Sequence, residues 1–280
     1  MHPQVESLIR IALAEDVGTG DLTARSVVDP AATARGRMLL KQPGVISGMS
    51  VVRHVLESVD PEIEWHPVVA DGDVLQDPTT LGEIAGPARS ILTAERTALN
   101  FIQRLSGIAT ATREYVDAVA GTNARIVDTR KTTPGMRVLE KQAVRDGGGH
   151  NHRFGLFDGV LIKDNHIAAM GGDKAIALII DRARMHVPHT VRIEIEVTSL
   201  EQLNLALSAS VDVIMLDNMP PETMRRAVEI TNGRALLEAS GGVTLTTVRA
   251  IAETGVDLIS VGALTHSAPA LDISLDLALS

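Results

Sequence analysis

The second half of the chain alternates short apolar runs with longer amphipathic stretches, and that rhythm leaves few folds open. Strand-like runs occur at 125–128, 159–163, 192–197, 213–217, 235–239 and 258–261. Helix-like stretches follow most of them, at 173–185, 200–208, 221–230 and 245–253. Strands that are apolar on both faces and alternate with helices are the pattern of parallel β/α units. Six runs fall short of the eight strands of a complete (β/α)8 barrel. The expectation is an α/β protein with an open or incomplete parallel β/α barrel, some of whose strands escape the pattern. A doubly wound open sheet is the rival architecture.

The first half reads differently. Val5, Leu8, Ile9 and Ala12 recur at helical spacing and predict an opening helix over 4–14. Residues 21–90 are short apolar runs broken by Pro43-Gly44, Asp71-Gly72-Asp73 and Gly86-Pro87, the marks of a small sheet with tight turns. From 90 to about 120 the period becomes helical, with Leu92, Leu99, Ile102 and Leu105 on one stripe and a break expected at Ser106-Gly107. The domain expectation is therefore a smaller N-terminal α/β sandwich over 1–106 and a barrel over 107–266. A tail over 267–280 is expected to pack back on the N-terminal domain.

Composition excludes several classes of function. With no cysteine there is no disulfide, thiol nucleophile or Cys-ligated metal. A net charge of −9 and 2% aromatic residues argue against nucleic acid as a partner, which needs a basic surface and stacking platforms. Residues 1–6 lack the basic start of a signal peptide, and no apolar run approaches the ~20 residues of a membrane span. A cytoplasmic protein without a membrane partner is the expectation.

In a barrel, the loops after the strands build the active face. Polar residues stand at those positions: Asp128-Thr129-Arg130-Lys131, Lys163-Asp164-Asn165-His166, Glu196, Asp217-Asn218, Ser240-Gly241-Gly242 and Gly262. Residues 125–166 carry eight Lys/Arg against five Asp/Glu, a balance of 8 − 5 = +3 inside an acidic chain. The bland reading is a solvated basic surface. These basic residues, however, border apolar strands, and Gly147-Gly148-Gly149 leads directly into His150-Asn151-His152-Arg153. Guanidinium forks hold carboxylates with paired charge-assisted bonds, so a small dianion fits the segment. Ser240-Gly241-Gly242, followed by a helix expected to start at Thr244, with Gly262 as a second wall, has the form of a phosphate cradle. Glu196 and Asp217 suit sugar hydroxyls, Mg²⁺ or acid–base work. Glu194 shares a strand face with Glu196, and spacing alone does not rank the two. His150 and His152 lack an evident third metal ligand. Dinucleotide, P-loop, HExxH and GxSxG motifs are absent.

Several stretches stand out when taken together: Thr93-Ala-Glu-Arg-Thr-Ala-Leu-Asn100, Ser106-Gly-Ile-Ala-Thr110, Asp128-Thr-Arg-Lys-Thr-Thr-Pro134, Gly148-Gly-His-Asn-His-Arg153 and Leu161-Ile-Lys-Asp-Asn-His166. Glu194-Ile-Glu-Val197, Met215-Leu-Asp-Asn218, Glu238-Ala-Ser-Gly-Gly242 and Val261-Gly-Ala-Leu-Thr-His266 complete the set. In this order they resemble the quinolinate phosphoribosyltransferase family, also called nicotinate-nucleotide pyrophosphorylase (carboxylating). The resemblance runs from Gly20-Asp-Leu-Thr23 to the C-terminus. It implies a pentosyltransferase of NAD biosynthesis that turns quinolinate and phosphoribosyl pyrophosphate into nicotinate mononucleotide, pyrophosphate and CO₂, with Mg²⁺. It implies a homodimer with a shared site, its assembly beyond a dimer left open.

By the same resemblance, Arg130, His152, Arg153 and Lys163 hold the quinolinate carboxylates, joined by Arg96 of the neighbouring subunit. Lys131 meets the pyrophosphate, Glu196 and Asp217 the ribose and metal, and Ser240, Gly241, Gly262 and His266 the 5′-phosphate. Lys163, Glu196 and Asp217 are the catalytic candidates. The alternative is a related phosphoribosyltransferase of the same fold acting on a different carboxylated ring.

Overall fold

The computed structural model describes residues 2–279. They form two compact units that are not contiguous in sequence: residues up to Arg113, Thr132–Gly148 and those from Leu264 onward make the first, and Glu114–Lys131 with Gly149–Ala263 the second. The expected boundary at 106 falls inside a single helix, Ala88–Ala118.

The first unit is built on a four-stranded antiparallel sheet in the order Ile273–Leu279, Thr33–Leu40, Thr79–Pro87, Glu64–Pro67. Its edge strand Ile273–Leu279 comes from the C-terminal segment and pairs antiparallel with Thr33–Leu40. The opening helix runs over Pro3–Val17 and buries Val5 and Ile9. Gly86-Pro87 is not a turn; it ends strand Thr79–Pro87, which runs straight into helix Ala88–Ala118. That helix has no break at Ser106-Gly107. It buries Ile91, Ala98, Leu99, Ile102, Leu105 and Ile108, while Leu92, expected in the stripe, is 36% exposed. Gly107 is there for contact: a Cβ on it would lie 1.9 Å from the Pro269 carbonyl oxygen. The spacing was helical throughout, and the glycine signalled close packing where a break was expected.

The second unit is a six-stranded parallel sheet in the order Arg125–Val127, Leu258–Ser260, Leu236–Ser240, Val213–Asp217, Ile193–Val197, Val160–Ile162. Helices Ile176–His186, Leu200–Ser208, Pro221–Thr231 and Val248–Ala252 follow successive strands. No hidden strands join this sheet among the described residues; the six foreseen are the sheet.

Three contacts show that the sheet curls. His150 forms a parallel bridge with Val127 at one edge, and Arg153 Nη1 donates to the Gly159 carbonyl, 3.1 Å away, beside the other edge strand. The segment 150–153 therefore spans the gap between the two edge strands. His152 Nε2 also lies 2.9 Å from Glu194 Oε2 on strand Ile193–Val197. In a flat sheet these residues would stand roughly 20 Å apart, at ~4.8 Å per strand. The architecture is an incomplete parallel barrel closed by a loop. Among the described residues no helix is long and apolar enough to cross a membrane.

Candidate active site

Side chains alternate across a strand, so every second residue faces the barrel interior. Leu161 and Lys163, Glu194 and Glu196, Met215 and Asp217, and Glu238 and Ser240 are four such pairs on adjacent strands. The upper member of each pair opens into one cavity of about 530 Å³ at the C-terminal end of the sheet. Arg130, Lys131, His152, Arg153, Lys163, Glu196, Asp217, Ser240 and Gly241 all line it.

Asp128 anchors the cationic wall. It is fully buried; its Oδ1 accepts from the His152 backbone N–H at 2.9 Å and its Oδ2 from Asn151 Nδ2 at 2.6 Å. This ties the histidine-containing loop to the end of strand Arg125–Val127. Arg130 and Arg153 then share the wall, and the Nε of each is buried without an acceptor. Burial, and next the Arg130 charge, hold the Arg153 guanidinium below its ordinary pKa. His152 Nδ1 accepts from the Arg153 backbone N–H at 2.7 Å, while its Nε2 faces Glu194 at 2.9 Å and Glu238 at 3.7 Å.

Lys163 Nζ is 2.7 Å from Glu196 Oε2. His166 turns away from the anion pocket: its Nδ1 accepts from the Lys163 backbone N–H at 2.8 Å and caps helix Asp164–Ala169. On the next strand, Asn218 at φ +53° donates from Nδ2 to Asp217 Oδ2 at 3.0 Å. Gly241 at φ +93° and Gly242 at φ +61° follow Ser240. The helix expected from Thr244 begins at Val248 and has only 5 residues, with 244–247 forming a hydrogen-bonded threonine turn before it. The cradle thus rests on main chain at positive φ and not on a helix N-terminus, because the threonine hydroxyls compete for the first-turn hydrogen bonds.

Three expected residues are not among the lining. Gly262 lies two positions past strand Leu258–Ser260, and it is Ser260 that faces the cavity. His266 belongs to the first unit, where its Nδ1 is 2.6 Å from Ser267 Oγ. Arg96 is exposed on helix Ala88–Ala118 of the same unit. One residue without an assigned role stands out. Glu238 is 1% exposed, and burial, followed by the nearby Glu194, pushes its pKa up to about 8. Its signal in the sequence was a lone carboxylate within the apolar strand Leu236–Ser240.

Comparison with known proteins identifies related chains. Residues 21–106 match the N-terminal domain of quinolinate phosphoribosyl transferase, and 108–276 match its C-terminal domain. The chain belongs to the quinolinate phosphoribosyltransferase family. A probable nicotinate-nucleotide pyrophosphorylase (carboxylating) of Bacillus subtilis is 46% identical over 279 residues, covering 100% of this chain and 95% of that one. The nicotinate-nucleotide pyrophosphorylase (carboxylating) of Mycobacterium leprae is 46% identical over 276 residues, covering 96% of this chain and 95% of that one. The structure of the Francisella tularensis nicotinate-nucleotide pyrophosphorylase matches with a TM-score of 0.93 at 40% identity, covering 98% of this chain and 96% of that chain. Family membership thus extends through both units, over the cationic wall and the glycine cradle alike.

Proposed function

We propose that this chain converts quinolinate and phosphoribosyl pyrophosphate to nicotinate mononucleotide, pyrophosphate and CO₂, a step of NAD biosynthesis. The observation that carries the reading is a pair of arginines, Arg130 and Arg153, that line one cavity and whose buried Nε donors have no protein acceptor. Buried charged donors left unpaired are costly, so an acceptor is expected to arrive with the substrate. Two adjacent carboxylates on a planar ring supply it, with Lys163 as the third cation and His152 in the wall between them.

The other side of the cavity suits a phosphosugar. Gly241 and Gly242 leave main chain open to the 5′-phosphate beside Ser240, and Lys131 reaches the pyrophosphate. Loss of pyrophosphate builds positive charge on the ribose, as in other glycosyl transfers through oxocarbenium-like states. Glu196 and Asp217 stabilise that charge from fixed positions. Both are hard oxygen donors on adjacent strands, a set that fits Mg²⁺ retaining several waters. Mg²⁺, when bound, would offset the charge of the leaving pyrophosphate. After transfer, the ring C–CO₂ bond breaks, its electron pair stays on the ring carbon beside the cationic nitrogen, and Lys163 is placed to supply the proton.

We further propose a homodimer in which Arg96 of the neighbouring subunit completes the site, while Gly262 and His266 serve the 5′-phosphate region. A cytoplasmic location, with neither nucleic acid nor membrane as a partner, accompanies this reading. Purified protein given quinolinate, phosphoribosyl pyrophosphate and Mg²⁺ is expected to release nicotinate mononucleotide and CO₂ in equal amounts. Turnover of nicotinate in place of quinolinate would overturn the substrate assignment and leave the phosphoribosyl transfer. Loss of activity with chelator, restored by Mg²⁺, tests the metal.

A further inference from the structure

The barrel interior beneath the substrate cavity holds His152, Glu194 and Glu238, whose ligand-type atoms lie within 4.8 Å of one another. Three such side chains invite either a divalent cation or a proton, and the hydrogen bonds decide between them. The Arg153 backbone N–H donates to His152 Nδ1, so that nitrogen carries no hydrogen. The ring hydrogen is therefore on Nε2, aimed at Glu194 Oε2 at 2.9 Å. A protonated Nε2 has no lone pair for a metal. Glu194 Oε2 accepts that N–H. Glu238 Oε2 stands 3.7 Å from Nε2, beyond hydrogen-bond reach, and the Oε1 of Glu238 has no partner.

We propose that Glu238 keeps the floor of the anion site from gaining charge: it stands as a neutral acid beside the His152–Glu194 pair and adds no second negative charge beneath the cavity. The proposal rests on the functional reading above. The groups facing Glu238 are Glu194 on strand Ile193–Val197 and Asp128 after strand Arg125–Val127, which with burial favour the neutral acid, and the Ser260 hydroxyl and His152 ring, whose opposing pull is smaller than that of burial and Glu194. Met215, its register partner on the adjoining strand, is apolar. Arg130 and Arg153, which line the same cavity as Glu238, are the cations the substrate needs. Burial, then Glu194, set the acid's pKa at about 8, so the proton stays on at neutral pH. Above that pH a second negative charge appears under the site beside Glu194, and a dianion is repelled.

The test is steady-state kinetics from about pH 6.5 to about pH 9.5, varying each substrate at saturating levels of the other, for the unmodified enzyme and Glu238→Gln. For the unmodified enzyme the quinolinate KM is expected to be flat at neutral pH and to rise above about pH 8, approaching tenfold per pH unit, with no matching rise for phosphoribosyl pyrophosphate. Glu238→Gln, isosteric with the neutral acid, is expected to stay within about threefold at neutral pH and to lose the alkaline rise. A flat profile in the unmodified enzyme, a rise that survives in the variant, or a stoichiometric transition metal released by the variant each overturns the proposal. If the variant does not fold, a ¹³C-glutamate NMR titration of the unmodified protein decides: a buried carboxyl titrating near pH 8 supports it, and none overturns it. An enzyme that turns over no quinolinate at any pH overturns the functional reading and this proposal together. An active enzyme with a flat profile overturns the proposal alone.

Discussion

Lys163 Nζ lies 2.7 Å from Glu196 Oε2, joining the ends of two adjacent strands across the rim of the cavity. The lysine side chain is 47% exposed and the glutamate side chain 12% exposed. A pair so open to water contributes little to folding, roughly 0–1 kcal/mol. On the proposed function its value is in holding a cation and an anion where the two halves of the reaction meet. Lys163→Ala is therefore expected to cut kcat/KM by about 10² or more while shifting thermal stability little. Activity near the unmodified level would remove Lys163 from the mechanism, and a large drop in melting temperature would make its role structural.

The arginine wall makes a second prediction. Each charge-assisted bond is worth about 1.5–3 kcal/mol, so Arg130→Ala and Arg153→Ala should raise the quinolinate KM roughly 10- to 100-fold. The KM for phosphoribosyl pyrophosphate should move far less. Lysine at either position should not restore function, because a point charge cannot reproduce the planar fork. Arg153→Lys would also give up the bond from Nη1 to the Gly159 carbonyl that helps close the barrel. Equal changes in both KM values would mean that the two substrates do not divide the cavity in this way.

Gly241 tests the other half. At φ +93° an L side chain is strained, and a Cβ there would come within 2.2 Å of Asn218 Oδ1. Relief requires Asn218 to move and give up its bond to Asp217 Oδ2. Gly241→Ala should raise the KM for phosphoribosyl pyrophosphate at least about tenfold and leave equilibrium binding of quinolinate nearly intact. Calorimetric titration with quinolinate separates this from general damage, since a misfolded variant binds neither substrate.

The shared site can be tested without a structure of the assembly. Arg96 is exposed on its own helix, whereas Lys163 lines the cavity. If Arg96 serves a neighbouring subunit, an inactive Arg96→Ala chain mixed with an inactive Lys163→Ala chain should regain activity, toward one quarter of normal for random pairing. Mixed dimers that form and remain inactive would refute that assignment.

Much of the barrel could be read from the sequence because its signals are local. Residues 213–217 and 200–208 coincide with strand Val213–Asp217 and helix Leu200–Ser208, since an unbroken apolar run and a clean 3.6 period each admit one reading. The strand-end polar residues were legible for the same reason, as apolar strands make every charge at their ends conspicuous. What escaped depends on tertiary contact. The closing of the barrel by residues 150–153 rests on the bridge to Val127, the two bonds to Asp128 and the bond to Gly159, which no periodicity announces. Glu238 was visible as a carboxylate in an apolar strand, but its meaning depends on His152, 86 residues earlier (238 − 152) and close only once the sheet curls.

Gly107 is the plainest case of a residue whose reason is a contact, and it supplies the last prediction. Within a helix, Gly→Ala normally stabilises by up to about 1 kcal/mol, because alanine has less backbone entropy to lose. Here a Cβ would stand 1.9 Å from the Pro269 carbonyl oxygen, 3.0 Å from its carbon and 3.2 Å from Ala270 Cα. All three are main-chain atoms, so no side chain can rotate aside, and one segment must shift away from the other. Overpacking of this kind costs about 1–3 kcal/mol or more, which exceeds the gain in propensity. Gly107→Ala should therefore lower the melting temperature by several degrees and reduce hydrogen-exchange protection at the Leu271 amide, which donates to the Gln103 carbonyl one turn away. A variant as stable as the parent would mean that the Pro269 segment is free to move and does not hold the helix in place.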